Sequence, residues 1–331
     1  MATIKQVAER ARVSQATVSR VMNGSARVSQ ATRERVDKAM EDLGYTPNAF
    51  AQSLASNRSN SVGLVVSELS GPYYGQLMTG LENTLRSANK HLLIASGHGD
   101  ESCERDAVEF LLSRRCDALV LHTERLSDQY LIELAARVPA VFINRHVAAL
   151  PDQSISLNNE AGGFQATQHL ISLGHRRIAC ITGPMWKPDA AARLEGYRRA
   201  LQGIGIAYDE QMVVEGSFSE TGGREAIERL LGRKRSFTAL VAGDDDIAIG
   251  ALTGLRARGH RVPEDIALVG FDDAPYARYV SPPLSSVYLP IGEMATMAGK
   301  QVLKRVYHKP AELRNRFEPE LVVRASSGQG I

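Results

Sequence analysis

A chain of 331 residues, 44% of them hydrophobic, is long enough for two or three domains with large buried cores. No run of eighteen apolar residues offers a membrane span, no apolar stretch near the first residue reads as a signal peptide, and three scattered cysteines, Cys103, Cys116 and Cys180, form neither a CxxC nor a disulfide framework. The net charge of +2 hides an asymmetry: residues 1–60 carry +4 and the remainder −2, which suits a small polyanion-binding module joined to a larger body.

The first elements are three short helices. Thr3 is placed to cap "IKQVAERA", where Ile4, Val7, Ala8 and Ala11 share a face. After the turn "RV", Ser14 caps "QATVSRVM", with Val18, Val21 and Met22 inward and Asn23-Gly24 as the stop. Ser29 caps "QATRERVDKAMEDLG", with Ala31, Val36, Ala39, Met40 and Leu43 as its apolar face and Gly44 as its end. A helix, a tight turn and a second helix that opens on small polar residues make a helix-turn-helix pattern. The second helix of such a pair enters a DNA major groove. Gln15 can read a base edge and Ala16 can meet a thymine methyl. Ser14, Thr17, Ser19 and Asn23 suit phosphate oxygens, and Arg20 lies on the same helix. The plainer reading of the pattern is a capped helix in an ordinary bundle.

Residues 45–61, "YTPNAFAQSLASNRSNS", form a joint. Pro47 blocks continuation of the third helix, and "NAFAQSLA" is too short to stand as a helix alone. From Val62 short apolar runs alternate with helical stretches: "VGLVV", "HLLIA", "DALVL", "AVFI", then "RIACIT", "QMVVE", "TALVA" and "DIALVG". Continuous apolar strands joined by helices indicate parallel sheets covered by helices on both faces. Two such series predict two α/β lobes with a cleft at the carboxyl ends of their strands. The groups that follow those strands are Tyr73 and Tyr74, Asn144 and Arg145, Phe218, Asp244 to Asp246, and Asp272 and Asp273, with Arg193 in "AARLEGY". Carboxylates, amides and aromatic faces in that placement suit a sugar. Acidic residues after strands also cap the next helix, and for Asp245 or Asp246 and for Asp273 that is the preferred reading. No P-loop, GxSxG, HExxH or strand-following GxGxxG is present, so an enzyme is not expected, and no cofactor or metal is implied. His169 and His175 read as structural.

The stretch from Thr3 to Ser56 resembles the head of the LacI/GalR family of bacterial transcription regulators. "TVSRV.N", "VS..TRERV", "LGY.PN" and "A..L" carry the likeness. It continues through "GLVV", "GGFQATQHLISLGHRRIACITGP", "ARLEGY", "ALVAGDDDIAIGAL" and "VPEDIALVGFDD", about residues 3–323. The resemblance implies a helix-turn-helix head over residues 1–46, a hinge helix and linker over 47–60, and a periplasmic-binding-protein-like core over 61–331. Lobe 1 should take about 61–158 plus 290–323, and lobe 2 about 159–289, with "EPELVVR" as a late strand of lobe 1.

By position, the resemblance makes Gln15, Ala16 and Arg20 base readers. It makes Asn23, Arg27, Tyr45 and Asn48 backbone or groove contacts. Ala51 would let two hinge helices approach, and Leu54 would wedge into a minor-groove step. Tyr73, Tyr74, Asn144, Arg193, Phe218, Asp244 and Asp272 form the expected effector set. The implied partners are roughly palindromic double-stranded operator DNA, a sugar effector and a second copy of the chain, with a tetramer as an option. The implied address is the bacterial cytoplasm, on the nucleoid when operator-bound.

Two departures stand out. Asp244-Asp245 replaces a common Asn-Asp, and an ionised Asp244 only accepts hydrogen bonds, which argues against an anionic ligand. Asn158-Asn159 replaces a common Asp-Asn, which bears on lobe contacts rather than the site. The effector expected first is a hexose, galactoside or β-glucoside, as in the galactose-type and β-glucoside-type branches, and its binding should release the operator. A purine corepressor fits less well, because Met185-Trp186-Lys187 stands where the purine branch has an extra arginine. Trp186 either stacks on a sugar or packs in a loop. The alternatives are a corepressor-type regulator of the same family and a transport-type sugar receptor.

Overall fold

In the computed structural model, Thr3 opens helix α1 (Ile4–Ala11) with a capping box: its hydroxyl accepts from Gln6 N while the Gln6 side chain accepts from Thr3 N. Arg12 ends the helix in the left-handed conformation, and the chain turns directly into α2 (Gln15–Met22). Helix α3 (Gln30–Asp42) closes the head. Val7, Ala8, Ala11, Val18, Val21, Val36 and Ala39 form its buried core. Ala31, expected on that face, is exposed, and burial along α3 begins only at Val36. The structure describes residues 2–22, 28–45 and 58–328, and the chain divides into two units, residues 1–60 and 61–331.

The larger unit holds two six-stranded sheets. In the first, β1 (Ser61–Val66) lies between β2 (His91–Ser96) and β3 (Ala118–Leu121), followed by β4 (Ala140–Ile143), β5 (Ser154–Leu157) and β11 (Arg316–Phe317). In the second, β6 (Ile178–Thr182) lies between β7 (Val213–Glu215) and β8 (Ala239–Ala242), followed by β9 (Ala267–Asp272), β10 (Ser285–Tyr288) and β12 (Glu320–Val322). All pairs are parallel except β10–β12. Strands β1, β3, β4, β6 and β8 are buried almost end to end, as sheets covered on both faces require. Burial lifts the Cys116 thiol to about 11 and Cys180 to about 12, so both stay protonated.

The chain passes between lobes three times: after Leu157, after Tyr288 and after Phe317. The last passage corrects the expectation that "EPELVVR" belongs to lobe 1. Glu320–Val322 pairs antiparallel with Ser286–Tyr288 of lobe 2. The two residues Arg316–Phe317 alone occupy the lobe 1 edge beside β5, and the three-residue strand after Pro319 carries no sequence signal for which sheet it joins.

Helices α4 (Gly71–Ser87), α5 (Glu101–Ser113) and α6 (Asp128–Arg137) cover lobe 1, and α11 (Ile291–Tyr307) returns to pack on α4. Helices α7 (Asn159–Ser172), α8 (Pro188–Gly203), α9 (Glu220–Leu231) and α10 (Asp245–Ala257) cover lobe 2. The α7–α8 crossing is closed by glycine: a Cβ on Gly163 would collide with the Arg193 carbonyl, and one on Gly196 with the Glu160 carbonyl. This contact sets the depth at which α8 presents Arg193.

Candidate functional site

In both sheets the strand order reverses beside the first strand, and a crevice opens there at the carboxyl ends. The two crevices face one another and form a cavity of about 460 Å³. Lobe 1 contributes Tyr73 and Tyr74 after β1, His122 and Glu124 after β3, and Asn144 after β4. Lobe 2 contributes Lys187, Asp189 and Arg193 after β6, Phe218 after β7, Asp244 after β8 and Asp272 at the end of β9. All seven residues of the expected effector set therefore line one cavity.

Arg193 organises the lobe 2 wall. Its Nε donates to Asn159 Oδ1 at 2.9 Å and its Nη1 to the Gly243 carbonyl at 2.5 Å. The guanidinium lies 3.6 Å from the Phe271 ring centroid, and Nη2 stands 3.5 Å from Asp272 Oδ1. Asn159 thus holds the site arginine, so the departure at Asn158-Asn159 bears on the site as well as on lobe contacts. Burial pushes the Asp272 carboxyl up to about 7 despite the pull of Arg193, and burial beside Asp272 raises Asp244 well above the carboxylate range.

The capping pattern also differs from expectation. Asp244 caps α10, accepting from Ile247 N at 2.7 Å. Asp245 instead accepts from Ser286 Oγ at 2.6 Å and Ala274 N at 2.7 Å, while Asp246 accepts from the Tyr276 hydroxyl. Asp273 caps nothing and pairs with Arg324 at 2.6 Å. Asn144 and Asp272 both have positive φ, 56° and 100°, a strained backbone that turns each side chain at a strand end.

Tyr73, Tyr74 and His122 pack edge to face, with centroids 5.1 to 5.5 Å apart. The Tyr73 hydroxyl and His122 Nε2 are hydrogen-bonded at 2.9 Å, and burial lowers the histidine pKa, so the ring is neutral at pH 7. The Phe218 ring lies directly on Gly183, where a Cβ would collide with it. Asp272 Oδ1, Asn144 Oδ1 and His122 Nδ1 are buried without a hydrogen-bond partner among the described residues. Such orphaned groups are costly unless a ligand meets them.

Lys187, Asp189, His122 and Glu124 were missed in the sequence. Their one signal was the "GP" turn after "RIACIT" and the end of "DALVL". Trp186 is not a wall of the cavity, so it does not stack on a ligand there; its ring lies under the Arg125 guanidinium. Arg145 turns away to Asp128 at 2.7 Å. His169 and His175 bond Ser327 and Thr238, each at 2.9 Å.

On the head, Ser14, Gln15, Ala16 and Arg20 are exposed, and Thr17 and Ser19 are half-buried. Ser14 Oγ accepts from Thr17 N at 3.1 Å and is bonded to the Thr17 hydroxyl at 2.9 Å, which fixes the first turn of α2. Tyr45 is half-buried against the head core. Asn23, Arg27, Asn48, Ala51 and Leu54 lie outside the described residues.

Residues 3–48 match the family model of bacterial regulatory proteins, lacI family, and residues 167–327 match the periplasmic binding protein-like domain. The chain is 42% identical to the HTH-type transcriptional regulator GalR of Escherichia coli (strain K12), over 98% of this chain and 96% of that protein. The chain belongs to the LacI family of bacterial regulatory proteins. Two solved structures extend the likeness to the whole LacI-family fold. The transcriptional regulator CelR–cellobiose complex is 36% identical, with a TM-score of 0.73 over 98% of this chain and 100% of that one. The Lac repressor dimer bound to operator and the anti-inducer ONPF is 28% identical, with a TM-score of 0.87 over 99% of each chain. The two sheets and their helices are those of a LacI-family core, and no helix among the described residues is long and apolar enough to cross a membrane.

Proposed function

We propose that the chain is a sequence-specific DNA-binding transcriptional regulator of the bacterial cytoplasm, a repressor of sugar-utilisation genes whose operator affinity is set by a neutral sugar. The observation that carries this reading is the convergence of strand-end side chains from both lobes on one cavity, in a chain whose head exposes Gln15, Ala16 and Arg20 on one short helix. GalR, CelR bound to cellobiose and the operator-bound Lac repressor support it as relatives.

The wall chemistry supports the ligand class. Leaving aside Asp244, Asp246 and Asp272, whose carboxyls burial raises, Glu68, Glu124, Asp189 and Glu220 face the cavity against the cations Lys187 and Arg193, both already paired. An anionic ligand meets net repulsion there. A hexose, galactoside or β-glucoside offers hydroxyls to the carboxylates and to the unpaired Asn144 and His122 atoms, and an apolar ring face to Tyr73, Tyr74 or Phe218.

Regulation follows if the ligand binds one lobe arrangement more tightly than the other. A homodimer places two heads on a roughly palindromic operator, and closure of each core changes how well the heads fit its two half-sites. Turnover of the sugar is not part of this reading. The test is a thermal-shift screen of the full chain against neutral hexoses, galactosides, β-glucosides, sugar phosphates and purines. A neutral sugar should raise the melting temperature. A response to sugar phosphates or purines alone would overturn the ligand class.

A further inference from the structure

We propose that the turn Glu124–Leu126 is a clasp that grips the opposite lobe, and that Glu104, which never reaches the cavity, is the positioning residue that holds the clasp in place. The proposal rests on the reading of the cleft as the effector site and concerns how that site closes.

Glu104 lies on α5 and is fully buried. A buried carboxylate is tolerated only when its oxygens are well satisfied. Here the partners are three successive backbone amides: Glu124 N donates to Oε1 at 2.7 Å, and Arg125 N and Leu126 N donate to Oε2 at 3.0 Å each. The side chain is wedged against Gly97 at the end of β2, where a Cβ would collide with it. One carboxylate therefore fixes the orientation of the whole turn from behind.

The front of that turn meets lobe 2. Glu124 Oε1 accepts from Lys187 Nζ at 2.6 Å, with the two side chains 12% and 18% exposed. The Arg125 guanidinium stands 3.4 Å from the Trp186 ring centroid. Trp186 and Lys187 are neighbours in the loop after β6, so one turn of lobe 1 holds two consecutive residues of lobe 2. The Arg125–Trp186 contact lies outside the cavity wall. A contact made directly between lobes favours the closed arrangement whatever occupies the cleft, and its loss lowers apparent ligand affinity through the smaller closed population. The ion pair is sheltered enough to be only partly screened by salt, and the cation–π contact adds a salt-tolerant component.

Trp186 is the single tryptophan of the chain, so its fluorescence reports the clasp directly. The experiment is acrylamide quenching of the full-length protein as wild type, R125A, E104Q and the double variant, each with and without D-galactose or cellobiose, alongside melting temperatures. R125A should raise the quenching constant about twofold by uncovering the ring. E104Q, which replaces one acceptor oxygen by an amide facing the N–H donors, should raise it similarly in protein that remains folded at 25 °C. In quenching the double variant should match R125A alone, because both uncover the ring through the same Arg125–Trp186 contact. Sugar affinity should fall about three- to tenfold in each, mainly through faster dissociation.

If E104Q lowers only the melting temperature and leaves quenching unchanged, Glu104 is merely structural and the positioning role is overturned. If E104Q does not fold, R125A decides: an unchanged quenching constant there rules out the clasp. A clasp signature in both variants with no sugar response in any protein keeps the clasp and removes the effector reading. A sugar response without any effect of R125A or E104Q does the reverse.

Discussion

Arg193 and Asp272 face each other 3.5 Å apart at the cavity wall, yet the arginine spends its other donors on Asn159 and the Gly243 carbonyl. The arginine is therefore positioned by the lobe and not by Asp272 alone. Asp272 keeps an oxygen without a hydrogen-bond partner among the described residues, beside a guanidinium that cannot move to meet it.

The raised carboxyl of Asp272 has a consequence for stability. Folding lifts it from its ordinary value near 4 to about 7, so between those values the folded protein holds a proton that the unfolded chain lacks. The stability it contributes is present below about pH 4 and is lost as pH rises through about 7. Relative to D272N, the wild type should lose at least about 1 kcal/mol between pH 5 and pH 8, discounted because the group partly faces an open cavity. Urea unfolding of both proteins at the two pH values checks this, and parallel curves would contradict it.

Removing Arg193 should disable the sensor without disabling the reader. R193A leaves Asn159 and the Gly243 carbonyl without their donor inside the lobe, so sugar affinity should fall by tenfold or more, with a stability cost of about 1–3 kcal/mol for the unpaired acceptors. Binding to non-specific DNA at low salt should be unchanged. Isothermal titration with sugar and a filter-binding assay with DNA separate the two.

Arg20→Ala is the mirror of that change. Arg20 is exposed on α2 and is not part of the buried core of the head. The variant should keep its unfolding stability within about 0.5 kcal/mol of wild type. It should lose about 1–3 kcal/mol of specific DNA affinity, read by competition between a selected site and random duplex. Loss of sugar binding in this variant would break the division between head and core.

The crossing of α7 and α8 depends on glycine at Gly163. Gly163→Ala forces the helices apart at the Arg193 carbonyl, and overpacking of this kind costs about 1–3 kcal/mol. Because α8 carries Arg193, the same variant should weaken sugar binding more than its stability loss alone explains. Denaturant midpoint and sugar affinity, measured together, test the link.

Much of this was legible in the sequence, for physical reasons. Doubly covered strands must be apolar throughout, so "VGLVV" and "TALVA" declare themselves, and residues just after them fall at the cleft by topology. The effector set could be read because it sits at those ends. Glu124, Lys187 and Asp189 could not, because their meeting depends on how one lobe closes on the other. Glu104 looked like any acidic residue in an amphipathic helix, since three backbone amides leave no side-chain signature. The capping role fell on Asp244 rather than its neighbours because three consecutive aspartates give no pattern to choose between them. The lobe of Glu320–Val322 was hidden for a similar reason: three residues are enough for a strand and too few to specify a partner.

The central claim is that occupancy of the cleft changes the grip on DNA. A duplex selected by the full-length protein from a random pool, followed by fluorescence anisotropy across a titration of the sugar that raises its melting temperature, tests this most directly. The account predicts a roughly palindromic selected site and an affinity that falls at least tenfold as the sugar saturates the wild type, with the fall displaced to at least tenfold higher sugar in R193A. An affinity that stays constant while the sugar demonstrably fills the cleft would contradict it.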